Sequence, residues 1–396
     1  MKAMSWGRAA AVAGLAAHLA GCSSAGLGGL GDPPPAPVPH PQVAPLTAPA
    51  ATVGQTFGSG PVRVGLVLPL TQGGRDSGIG QAMLNAAQMA LADGGAGDVT
   101  LMALDDRSSP DAAASAAQAQ VKAGAEIIVG PLFAADVRQV GAVAKAANVP
   151  VIAFSTDATV ASEGVYLLSF LVETYVDRIV DYAVSRGKKN IAVLAPQSDY
   201  ANVALAELKS EAARAGATVV AVARYAPGQA AGAVAELLRD APDADAIFLP
   251  EQADALASVA GALASGGAKA QLLGTGVWND PKVAAIPALQ GAWYPAPDAS
   301  GFTNFARRYH AKFNAEPPRL ATLSYDAVSL VAALAHSQNS QRFKPSTLAN
   351  ASGFNGADGL FRFRANGMND RGLTVVQIGS GSVEVISPAP KSFAGG

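Results

Sequence analysis

The chain has 396 residues, half of them apolar and only 15% charged, which is enough apolar material to bury the cores of two domains or of one split domain. Its 28 basic and 30 acidic residues leave no basic surplus to hold a phosphate backbone, which disfavours nucleic-acid binding. The single cysteine, Cys22, excludes an internal disulfide.

Residues 1–21 read as a targeting segment. Lys2 and Arg8 give a positive start, Ala9 to Ala20 an apolar run, and Leu19-Ala20-Gly21-Cys22 a close in small residues ending on that cysteine. The pattern resembles a bacterial lipoprotein signal peptide. The resemblance implies cleavage before Cys22, acylation of Cys22 and a lipid anchor in the cell envelope, with Ser23 favouring the outer membrane. The run is too short to span a bilayer. Loss of Lys2 and Arg8 would move the net charge from −2 to −4, and acylation would leave no thiol for nucleophilic catalysis or zinc binding. Residues 22–59 are rich in Pro, Gly, Ala and Ser, including the run Asp32-Pro33-Pro34-Pro35. They cannot bury a core and are expected to form a partly extended tether.

From Val62 the pattern alternates strand and helix. Strands are predicted at 62–68, 99–104, 126–130 and 149–153, with helices at about 79–91, from Pro110 to near Gly124, and at 135–147. Ser109-Pro110 reads as a helix cap followed by proline at the first helical position. The alternation restarts after a helix at 172–186, with strands at 191–194, 218–223, 246–249 and 271–274. Strands apolar on both faces and separated by helices form parallel sheets covered on both sides. The fold class is therefore α/β, with two doubly wound lobes. Ligands of such sheets sit beyond the carboxyl ends of the strands, which puts the expected site in a cleft between the lobes.

The order and spacing of several segments resemble the type I periplasmic binding proteins of the leucine/isoleucine/valine-binding group, over nearly all of residues 61–390. They are Val64-Gly65-Leu66-Val67-Leu68-Pro69-Leu70-Thr71, Asp105 to Pro110, Ile128-Val129-Gly130-Pro131-Leu132, Val149 to Thr156, Ser198-Asp199-Tyr200 and Phe354 to Phe363. The resemblance implies three hinge crossings, near Leu168, Pro295 and Ala357. Lobe one is then 60–168 plus 296–357, and lobe two is 169–295 plus 358–396. It also implies a receptor that delivers a small polar solute to an ABC permease by hinge closure, with neither enzymatic activity nor a cofactor. The fold is equally similar to the carboxyl domain of lipoproteins that activate penicillin-binding proteins, which makes a peptidoglycan synthase the alternative partner.

The group's amino-acid pocket carries over poorly. The serine and threonine that hold a ligand carboxylate align with Ala134 and Asp157, the glutamate that pairs the ligand ammonium with Gly276, and a tyrosine with Ile79, whereas Tyr200 is retained. The residues expected to line the cleft are Gln72, Arg75, Asp76, Phe133, Ala134, Ser155, Thr156, Asp157, Tyr200, Glu251, Gln252 and Trp278. Each has a plainer reading. Ser155 and Thr156 can cap a turn, Asp157 can bond its own backbone, Tyr200 and Trp278 can pack, and Arg75 can be solvated. Asp105-Asp106 reads as a turn, since adjacent strand residues point apart. His310 and His336 lack metal-ligand spacing, and no phosphate-cradling or nucleophile-elbow motif occurs.

Overall fold

The computed structural model describes residues 54–94, 96–337 and 340–393. The leader, Cys22 and most of the tether lie outside the described residues. Within the segment expected to be tether, Gln55–Phe57 instead forms a strand.

In chain order the first half runs β1 (Gln55–Phe57), β2 (Val62–Leu68), a hairpin of β3 (Thr71–Gln72) and β4 (Arg75–Asp76), α1 (Gly78–Gly94), β5 (Val99–Asp105), α2 (Pro110–Lys122), β6 (Ile127–Val129), α3 (Ala134–Ala146), β7 (Val151–Ala153) and β8 (Val165–Leu167). There follow α4 (Val172–Ser185), β9 (Asn190–Pro196), α5 (Asp199–Ala215), β10 (Thr218–Tyr225), α6 (Ala230–Asp240), β11 (Ala246–Phe248), α7 (Ala253–Ser265), β12 (Gln271–Leu273), α8 (Pro281–Ala284) and β13 (Trp293–Ala296). The last part is α9 (Ala299–Phe313), α10 (Ala321–His336), α11 (Pro345–Leu348), β14 (Phe354–Gly356), β15 (Gly359–Phe363), β16 (Asn369–Arg371), β17 (Thr374–Ile378) and β18 (Val383–Ser387).

The first sheet has the order β1-β5-β2-β6-β7-β8 and is parallel except where β1 pairs β5. Val64, Leu66 and Leu68 of β2 face one core with α1 and α10, while Val67 turns to α2 and α3 on the other side. Covering both faces explains why the strands read as continuous apolar runs. Full burial of each such side chain contributes about 1.5 to 3 kcal/mol.

The second sheet, β10-β9-β11-β12-β13-β17-β18, is parallel as far as β13 and antiparallel beyond. One face packs on α6 and α7 and the other on α4 and α5. The chain passes from the first lobe to the second between Leu168 and Val172 and returns after Ala296, since α9 packs on α1. Phe361 and Phe363 still belong to the first lobe's core, so the third passage falls between Phe363 and Thr374. It comes later than the expected position near Ala357, because β15 and β16 first close a small antiparallel sheet with β14.

These passages are stitched together. The Ser169 carbonyl accepts from Asn369 Nδ2 at 3.0 Å and from Arg371 Nε at 2.9 Å, and Leu167 N donates to the Gly367 carbonyl at 2.7 Å. The Arg371 guanidinium lies 4.5 Å from the centre of the Phe170 ring, a cation–π contact that helps to hold a buried charge. No helix among the described residues is long and apolar enough to cross a membrane.

Candidate functional site

The carboxyl ends of the first lobe's strands carry the predicted site residues in three loops, with the Asp105-Asp106 turn beside them. Gln72 pairs with Arg75 across the β3-β4 hairpin, and both are exposed, as is Asp76. Asp105 and Asp106 hold the neighbouring turn. Asp105 accepts from Thr71 N and Oγ1, at 3.0 and 2.6 Å, and Asp106 accepts from Ser108 N at 2.8 Å. Burial pushes the Asp106 carboxyl up to about 7. Phe133 caps the start of α3 with its ring 39% exposed, and Ala134 opens that helix half-buried.

At the end of β7, Ser155 is buried and its Oγ accepts from Asp157 N at 3.1 Å, while Thr156 is exposed. Asp157 is engaged by its own turn and by Arg138. Its Oδ1 accepts from Thr159 Oγ1 at 2.6 Å and Thr159 N at 2.9 Å, and its Oδ2 accepts from Arg138 at 2.9 Å. The Thr159 hydroxyl first, with the Thr159 amide and Arg138, holds this carboxyl below its usual range. The carboxylate caps the short turn Ala158–Val160.

The second lobe contributes Tyr200, Glu251, Gln252 and Trp278. Tyr200 lies in the first turn of α5, its hydroxyl 2.7 Å from Thr275 Oγ1, and burial pushes that hydroxyl up to about 12. Trp278 differs from its predicted place, being wholly buried in the lobe's core against Tyr294. It offers no surface to a ligand, because the backbone turns at Gly276–Trp278 and folds the indole back over Gly274. A Cβ on Gly274 would stand 2.1 Å from Trp278 Cδ2, so only glycine admits the indole there.

The same loop shows a residue that sequence reasoning missed. A Cβ on Gly276 would stand 2.2 Å from Tyr175 Cζ, so the Tyr175 ring fills the space into which a side chain at 276 would project. Tyr175 comes from the first turn of α4 and is buried; burial drives its hydroxyl strongly upward. Its spacing from Val172, Val176 and Ile179 puts it on that helix's apolar face, which was the available signal. The loop from Gly274 to Trp278 is thus closed on itself, with Trp278 over Gly274, Tyr200 on Thr275 and Tyr175 on Gly276.

A pocket of about 340 Å³ lies where β9, β10 and β11 end, and Glu251 and Gln252 both line it. Glu251 is 5% exposed, and it accepts from the Tyr225 hydroxyl at 2.5 Å and from Gln252 N at 2.7 Å. Tyr225 was not predicted either. Burial and then the Glu251 carboxylate drive its hydroxyl strongly upward. Of the predicted residues, the structure therefore gathers Glu251 and Gln252 at one pocket and spreads the first-lobe set over separate loops.

Among the described residues, Asp177, Glu207 and Glu211 bring carboxylate oxygens within 4.8 Å of one another, the spacing of a metal site. Arginines already occupy this cluster, with Arg214 on Glu211 and Arg364 at 3.4 Å from Asp177.

The family model of the periplasmic binding proteins matches residues 61–382. The chain belongs to that family, and its fold is the type I periplasmic binding fold. It is similar to a Rhodospirillum rubrum protein named for a branched-chain amino acid ABC transporter, at 19% identity and a TM-score of 0.74, over 82% of this chain and 99% of that one. It is also similar to the substrate-binding protein LivJ of Streptococcus pneumoniae, solved with isoleucine, at 21% identity and a TM-score of 0.55, over 83% and 99% of the two chains. A solute-binding protein of R. palustris, solved with benzoate, matches at 18% identity and a TM-score of 0.55, over 84% and 97%. No curated protein matches this chain.

Proposed function

We propose that this protein is the solute receptor of an ABC importer, held in the periplasm by an acylated Cys22. It binds a small polar solute between its lobes, closes by bending at the three passages and presents the closed form to a permease. It catalyses no reaction. The observation that supports this most is the pocket at Glu251 and Gln252, which lies beyond the carboxyl ends of parallel strands, where α/β sheets bind ligands.

The test is thermal unfolding of the full chain against a panel of small solutes. A ligand held at 100 times its dissociation constant adds about 2.7 kcal/mol of stability, a readily measured shift. Small-angle scattering of the same sample should show compaction. Stabilisation without compaction would remove hinge closure from the reading.

One observation favours a second reading, in which the protein is an outer-membrane lipoprotein that activates a penicillin-binding protein. The loop that would pair a ligand ammonium is filled by Tyr175. A regulator of that kind needs no solute. Retention of a peptidoglycan synthase on the immobilised chain, with no solute stabilising it, would select this reading.

A further inference from the structure

Resting on the receptor reading, we infer that the solute seat is the pocket under Glu251 and that it takes a small organic amine without a carboxylate. Two observations carry this. The first is the closed loop from Gly274 to Trp278, where the Tyr175 ring leaves no room for a side chain at residue 276 that could pair a ligand group. The second is the chemistry of the pocket wall.

The residues that line the pocket include no Lys, Arg or His, and the ionisable groups among them are Glu251 and Tyr225. A ligand carboxylate entering there would meet a resident carboxylate and no cationic side chain. The amino end of α7 adjoins the pocket, but Glu251 already stands at it and accepts the Gln252 amide. Each Glu251 oxygen has one partner given by the structure and a lone pair beyond it, so the group can still accept from an ammonium. Pro196, Pro227 and Val259 supply apolar walls for a short carbon chain, and Gln252 and Ser258 supply polar groups at the exposed side. The seat therefore selects against the kind of ligand carried by relatives solved with isoleucine and benzoate.

Isothermal titration calorimetry of the full chain tests this, with ethanolamine and putrescine as amine probes and leucine, isoleucine and benzoate as carboxylates. Glu251→Gln removes the charge. Ser258→Trp, at an exposed position on α7, fills the pocket without touching the core. An amine should bind, and each variant should weaken it about tenfold or more, the range of a charge-assisted hydrogen bond. Tighter binding of a carboxylate probe would overturn the inference and leave the receptor reading standing. So would amine binding that neither variant changes. Silence of both amines would overturn the inference, while the receptor reading stands or falls on the wider solute panel.

Discussion

Replacing Gly276 by alanine tests whether Tyr175 fills the receptor loop as tightly as the geometry says. The added Cβ would lie 2.2 to 2.5 Å from Tyr175 Cζ, Cε1 and Cε2, well inside contact distance. Tyr175 cannot step aside freely, being 8% exposed, with its hydroxyl close enough to feel the charges of Arg371, Arg319 and Asp358. Overpacking of this kind costs about 1 to 3 kcal/mol. Tyr175→Ala alone should cost about 3 to 5 kcal/mol through the cavity it leaves. The double variant should then cost less than the sum, by about 1 to 3 kcal/mol, because the new methyl enters the vacated space. Urea unfolding of the four proteins measures the cycle. Tyr175→Phe is the control, since the clashing ring carbons remain and the penalty of Gly276→Ala should persist. Additive costs, within about 0.5 kcal/mol, would refute the claim that the ring occupies that space.

Three further outcomes follow from the same structure. Asp106 titrates at about 7 when folded and near 3.8 when unfolded, so the folded state holds the extra proton between those values. Its contribution should fall as pH rises from about 4 to 7, by at most about 4 kcal/mol, and Asp106→Asn should flatten that part of a stability-versus-pH curve. Asp157→Ala removes a turn cap and an exposed ion pair, so the midpoint of unfolding should drop by no more than about 2 kcal/mol in equivalent stability. Affinity for any solute should be unchanged; a tenfold loss would return Asp157 to the binding site. Cys22→Ser should move the protein from the membrane fraction to the soluble fraction, with mass spectrometry showing no acyl chains. Retention in the membrane would refute the anchor.

How much of this was legible in the sequence depended on how local the determinants were. The alternation of strands and helices could be read because parallel strands bury both faces, which leaves runs such as Val64 to Leu68 apolar throughout. The third hinge passage could not, because it is set by the pairing of β15 with β16 and of β17 with β13, where Trp293 meets Gln377 from far along the chain. The strand-end positions of Ser155 and Glu251 followed from strand ends alone. Their roles did not. Asp157 had two readings, and its contact with Arg138 on the neighbouring helix is one that the residues around it could not show. Gly276 in isolation shows only that a side chain is missing. Its meaning comes from Tyr175, a residue of another helix whose ring occupies the vacancy. The shape of the loop at Gly276 is thus set by a ring from another helix, which no reading of the loop's own residues could supply.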